Sequence, residues 1–149
     1  MKKCVHLLIS MCLVFSFVVC TTSAAISPYV EQNVEVISFE NGDSLEIVTT
    51  ITENLRASSK TVSKNYIYKS NGKNAVCYTL YGSFTYDGKT SKAIDASADA
   101  TIYQSGWSLS DHEESYSGST VRGTAVFSGP SGDKTLGGSI TCDKNGNIS

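Results

Sequence analysis

The sequence predicts an all-β domain, an antiparallel sandwich or barrel of about eight or nine short strands. Three observations carry this expectation. Runs rich in β-branched and aromatic residues alternate with period two, as a half-buried pleated surface requires. Gly, Asn and Asp punctuate those runs at spacings of about 8–12 residues. Beyond the first 25 residues, no segment of helix length sustains a 3.6-residue period.

The organising stretch is Ala75–Ala93, AVCYTLYGSFTYDGKTSKA. Val76, Tyr78, Leu80, Gly82, Phe84 and Tyr86 fall on one face of an extended chain. Ala75, Cys77, Thr79, Tyr81, Ser83 and Thr85 fall on the other. Asp87-Gly88 then offers the positive φ angles of a two-residue hairpin turn. This is the expected central strand.

The remaining elements follow in chain order. Asn33–Glu40 and Ser44–Glu53 form a hairpin about Asn41-Gly42-Asp43, with Leu45, Ile47, Thr49 and Ile51 alternating along its second strand. Asn54–Lys64 is polar without convincing periodicity and reads as a crossing loop. Tyr66–Lys69 is a short strand, turned into the central one by Ser70-Asn71-Gly72-Lys73. Lys89–Ser97 is a weaker strand and Ala98–Gln104 another. Asp111-His112-Glu113-Glu114 reads as a solvated charged loop. Thr120–Ser128 and Thr135–Cys142 are the last clear strands, and Asp143–Gly146 a closing turn.

The N-terminus predicts export. Lys2 and Lys3 precede an apolar run from Leu7 to Val19, which is short for a membrane span. Ser23-Ala24-Ala25 supplies small residues for signal cleavage after Ala25. Residues 1–25 are thus a signal peptide, and 26–149 a single β-sandwich-like domain that is secreted, with no stable membrane insertion after cleavage. The whole chain has 12 Lys and Arg against 14 Asp and Glu; losing Lys2 and Lys3 leaves a net charge of −4. Mild acidity argues against nucleic acid as a partner and against docking on anionic membranes.

Cys4, Cys12 and Cys20 lie in the signal region, leaving Cys77 and Cys142. Two cysteines on an exported chain suggest one disulfide; the alternative is two buried thiols acting as small apolar residues. His112 is the one histidine beyond the signal. No HExxH, paired CxxC or Gly-x-Ser-x-Gly element accompanies it, so neither a metal cofactor nor a catalytic set is expected. Asp143-Lys144-Asn145-Gly146 lacks the later glutamate of an EF-hand and reads as a turn. The eight tyrosines and Trp107 all lie beyond the signal. Tyr81, Tyr103, Trp107 and Tyr116 are the candidate ligand-contact aromatics, because exposed rings stack on sugars and anchor protein interfaces. For Trp107 a place in the core is the favoured reading.

Tyr78–Gly88 (YTLYGSFTYDG) and Ile140–Ser149 (ITCDKNGNIS) resemble small secreted proteins of Gram-positive bacteria, as do Ser105-Gly106-Trp107 and Ser117-Gly118-Ser119-Thr120 between them. The resemblance implies an exported all-β fold and no particular activity. The expected function is therefore non-enzymatic binding of an extracellular glycan or protein. A secreted effector or toxin-like protein and a small hydrolase are the alternatives.

Overall fold

The computed structural model describes residues 28–54 and 57–149. The expected signal peptide, residues 1–25, lies outside them. The described residues form eight strands and no helix. They are β1 Tyr29–Ser38, β2 Ser44–Asn54, β3 Ser59–Ser70, β4 Lys73–Tyr86, β5 Ser91–Ile102, β6 Ser108–Ser117, β7 Thr120–Ser128 and β8 Lys134–Thr141. All pairings are antiparallel. One sheet has the order β1-β2-β3-β4-β5, the other β6-β7-β8. The fold is a sandwich of two meanders, and the expected all-β class holds.

The alternation of β4 explains how the sheets stack. Val76, Tyr78, Leu80 and Phe84 point inward and are buried, meeting Val121, Ala125 and Phe127 of β7 and Leu136 and Ile140 of β8. The small sheet packs on β3, β4 and β5. Both sheets approach closely where rings stand over glycine. A Cβ at Gly123, in the middle of β7, would overlap the Tyr78 hydroxyl and sit 2.7 Å from Leu80 Cδ1. The Tyr78 hydroxyl passes this window and donates to the Glu113 carbonyl at 3.2 Å. Burial, with Glu114 nearby, pushes its pKa up to about 12, so the phenol remains a donor.

Several expected elements differ. Asn54–Lys64 is largely strand, since β2 runs to Asn54 and β3 starts at Ser59. Its residues are polar because Thr61 and Ser63 share the outward face, while on the inward face Val62 is flanked by Lys60 and Lys64, which reach the Gly146 and Ser139 carbonyls. The two strands expected between Lys89 and Gln104 are one, β5. Its inward positions Ala93, Ala96 and Ala98 are too small to give a strong apolar signal. The Asp-Gly turn is longer than two residues: Asp87 N–H donates to the Thr90 carbonyl, and its carboxylate accepts from Lys89 and Thr90 N–H. Asp111–Glu114 lies within strand β6 and is fully exposed. As an edge strand, β6 carries charge where a buried strand would carry apolar residues.

The expected disulfide does not form: Cys77 and Cys142 are free and buried. Cys77 lies on the outward face of β4, opposite Ile67 and Thr101 in register, with its Sγ 3.7 Å from Thr79 Oγ1. Cys142 is in the core beyond β8, where its carbonyl accepts from Ser91 Oγ at 2.6 Å, near the Tyr86 end of β4. Cys77 to Tyr86 is about 30 Å of extended chain, whereas a disulfide needs Cα atoms within about 7 Å. Opposite faces and opposite ends rule out a bridge within the chain. Burial raises both thiol pKa values.

Two outcomes test this packing. Gly123→Ala should destabilise by about 1–3 kcal/mol in equilibrium urea unfolding, with part of the loss recovered by adding Tyr78→Phe. A thiol reagent added under denaturing conditions without prior reduction should label both Cys77 and Cys142; labelling of neither would show a bridge.

Candidate functional site

The five-stranded sheet is wider than the three-stranded one, and the excess is β1 and β2. Every residue of β1 is exposed and most of β2 is half-buried. The inward face of this overhang and the edge of β8 enclose a groove of about 470 Å³. Its floor is Ile47, Thr49 and Ile51 of β2 with Glu31, Asn33 and Glu35 of β1. Tyr66 and Lys64 of β3 form the back, and Gly138, Ser139, Ile148 and Ser149 the upper wall. A second hollow, lined by Leu45, Phe39, Tyr68, Thr135 and Leu136, continues along the same edge.

Antiparallel geometry decides what β8 offers this groove. A residue points both its N–H and C=O to the same side, and the side alternates along the strand. Thr141 exchanges both hydrogen bonds with Ser149, at 2.8 and 3.0 Å, away from β7. The Ser139 carbonyl accepts from Lys64 Nζ at 3.1 Å on that same side. Alternation extends this orientation to Gly137 and Thr135. Ile148 and Ser149 therefore pair with the far side of β8 at Thr141 and Cys142, and among the described residues no strand pairs with that side from Ser139 to Thr135, above the isoleucines of β2.

The groove is held open from two ends. At one, Asp43 sits almost buried in the β1–β2 turn. Its carboxylate accepts from the Tyr68 hydroxyl, the Asn71 N–H at 3.2 Å and Asn41 Nδ2 at 2.7 Å. Tyr68 is in turn packed on Trp107, with centroids 5.5 Å apart, and on Phe39 at 6.5 Å. Lys134 Nζ lies 5.3 Å from the Tyr68 ring centre. The Tyr68 hydroxyl holds the Asp43 carboxyl below the usual carboxylate range. At the other end Tyr86 donates to Glu53, which is the main reason its pKa rises to about 12. Lys60 lies 3.6 Å from Glu53 and donates to the Gly146 carbonyl at 2.7 Å.

The four expected contact aromatics do not come together. Trp107 is buried, its ring over Gly129, and belongs to the core. Tyr81 is half-buried on the outward face of β4, where burial and then the Asp99 carboxylate raise its pKa. Tyr103 is exposed where β5 leaves the sheet, its N–H bonded to the Ala75 carbonyl. Tyr116 of β6 is exposed near the opposite end, across from Val121 of β7. His112 lies on the β6 edge opposite Ala125, on the other sheet from Cys77. Among the described residues no group of three or more His, Cys, Asp or Glu is placed to hold a metal ion. The groove residues were visible in sequence only as the alternation Leu45, Ile47, Thr49, Ile51; nothing in that pattern says that its inward face lacks a covering strand.

Comparison of the chain with protein-family models, curated proteins and solved structures yields no match.

The tie between Asp43 and Tyr68 has a pH signature. A carboxyl whose folded pKa is depressed contributes stability above its unfolded value and loses it as pH falls through the folded one. Wild type should therefore lose melting temperature on acidification below about pH 4. Tyr68→Phe should melt lower at neutral pH, and the gap between the two proteins should narrow in acid. A gap independent of pH would show that Tyr68 acts through packing alone. His112→Ala, at an exposed edge, should change stability by no more than about 0.5 kcal/mol.

Proposed function

We propose that the chain is exported, begins at Ile26 after cleavage, and is a non-enzymatic protein that binds an extended segment of another extracellular protein by strand addition. The observation that supports this reading is the open edge of β8 above Ile47 and Ile51. A strand laid there gains backbone hydrogen bonds from the edge and buries alternate side chains on the floor. It displaces Lys64 from the Ser139 carbonyl, an exchange of one hydrogen bond for another. Glu31 and Glu35 line the outer side of the floor, so the favoured segment turns apolar residues and a Lys or Arg to the floor on its one inward face, at alternate positions. The scattered positions of Tyr81, Tyr103 and Tyr116 provide no common platform for a sugar ring, which favours protein over glycan.

A display library of random short peptides, screened beside a glycan array, tests this directly. Selected peptides should carry apolar residues and a Lys or Arg spaced two apart, on one face of the strand. Their binding should fall at least about tenfold in Thr49→Trp, which fills the groove from its floor, and survive in Tyr81→Ala. Glycan hits that need Tyr81 and ignore Thr49→Trp would reverse the reading.

A further inference from the structure

The other side of the overhang carries a separate feature. β1 is an edge strand of ten residues, all exposed. Tyr29, Val30, Val34, Val36 and Ile37 are between 40% and 58% accessible. Long apolar edges template pairing with other chains, and folded proteins normally blunt them with Lys, Pro, bulges or a covering element. The remaining edges carry such devices. β5 is bonded at Ala93 N–H to the Gly118 carbonyl, 2.8 Å. β6 bears Asp111, Glu113 and Glu114 and a bulge near Leu109. β8 is partly covered by Ile148, Ser149 and Lys64. β1 has no Lys, Arg or Pro, its carboxylates Glu31 and Glu35 lie on the inward face toward the groove, and its register with β2 is unbroken from Tyr29 to Ser38.

The β1–β2 turn fixes which groups β1 leaves free. Phe39 N–H donates to the Asp43 carbonyl at 2.9 Å, so Phe39 faces β2. Alternation then turns the backbone groups of Ile37, Glu35, Asn33 and Glu31 toward β2, and those of Val36, Val34, Gln32 and Val30 to the open edge. Three of these four edge-facing residues are valines, and Val34 lies beside Val48 of β2 on the outward face. Free hydrogen-bonding groups and apolar side chains thus coincide on the same residues.

We propose that this edge pairs with the β1 edge of a second copy of the chain, antiparallel about a two-fold axis at Val34. That register sets Val34 against the second copy's Val34 and Gln32 against the second copy's Val36. Only even-numbered residues then meet as hydrogen-bonded pairs, as their free groups require. On the inward face Asn33 meets the second copy's Glu35 and donates from its amide, and Glu31 meets the second copy's Ile37. Shifting the axis to Asn33 sets Glu31 against Glu35 twice, and like charges directly opposite are destabilising. The register about Val34 avoids that repulsion, and it makes a symmetric contact between identical patches. The dimer joins the two large sheets into one.

Sedimentation equilibrium of the mature chain should show a concentration-dependent monomer–dimer exchange. Val36→Pro removes an N–H that faces the open edge and spares the ladder to β2, so it should give a monomer with a nearly unchanged melting temperature. Val34→Cys should form a covalent dimer on mild oxidation, because facing hydrogen-bonded residues have Cα atoms about 5.5 Å apart, within disulfide range. Asn33→Cys should not, its nearest copy lying on a diagonal of about 7–8 Å. Covalent dimers from Asn33→Cys in place of Val34→Cys would overturn the proposal. So would a monomer at all concentrations, including one whose β1 is protected from hydrogen exchange by its own N-terminal residues or by a foreign protein.

Discussion

The sandwich depends on rings standing over glycines. Tyr78 reaches past Gly123 to a carbonyl of β6, and a Cβ at Gly138 would lie 2.6 Å from the Tyr66 hydroxyl. These contacts let the sheets approach closely at β3, β4, β7 and β8, which locates the apolar core under the middle of the large sheet. Burial holds Tyr66 near a pKa of about 12, as it does Tyr78, so both remain neutral phenols across the physiological range. Close packing of this kind is intolerant of added volume.

The same contacts explain where the sandwich stops. The rings that meet the small sheet come from β3 and β4, so that sheet is centred there and extends no further than β8 on one side. β2 is left with an inward face of Leu45, Ile47 and Ile51 that touches the core only partly. The groove is thus the consequence of a width mismatch between two sheets. Its ends are braced by Asp43 with Tyr68 and by Glu53 with Tyr86 and Lys60, polar ties that hold the overhang against the remainder of the domain.

The class of fold and its central strand were legible because β4 alternates a fully buried face of large apolar residues with a mostly half-buried, more polar one. The β1–β2 hairpin was legible for its Asn-Gly turn. Legibility failed where side chains were small or polar for reasons of position. β5 carries alanines inward, the start of β3 carries hydroxyls outward, and β6 is an edge that needs no apolar face. The cysteines were misread because spacing in sequence does not report which face or which end of a sheet a residue occupies. The candidate tyrosines are dispersed for the same reason, whereas Trp107 takes the core place favoured for it, over a glycine. The groove was invisible because it is made by the absence of a neighbour, which only the stacking of the sheets reveals.

The meander order bears on how the chain reaches this structure. Every ladder joins strands adjacent in sequence, and one connection, from Ile102 to Ser108, carries the chain between sheets. Most pairing therefore closes short loops, a low-contact-order route that is fast for an all-β domain. Each sheet can zip as successive hairpins before the tyrosines find their glycines. Cys77 and Cys142 belong to different sheets' worth of this process, the first enclosed by β3–β5 pairing and the second only when the sheets dock. In an oxidising compartment the second thiol is the later to be shielded, so docking of the sheets sets how long the chain remains open to mispaired oxidation.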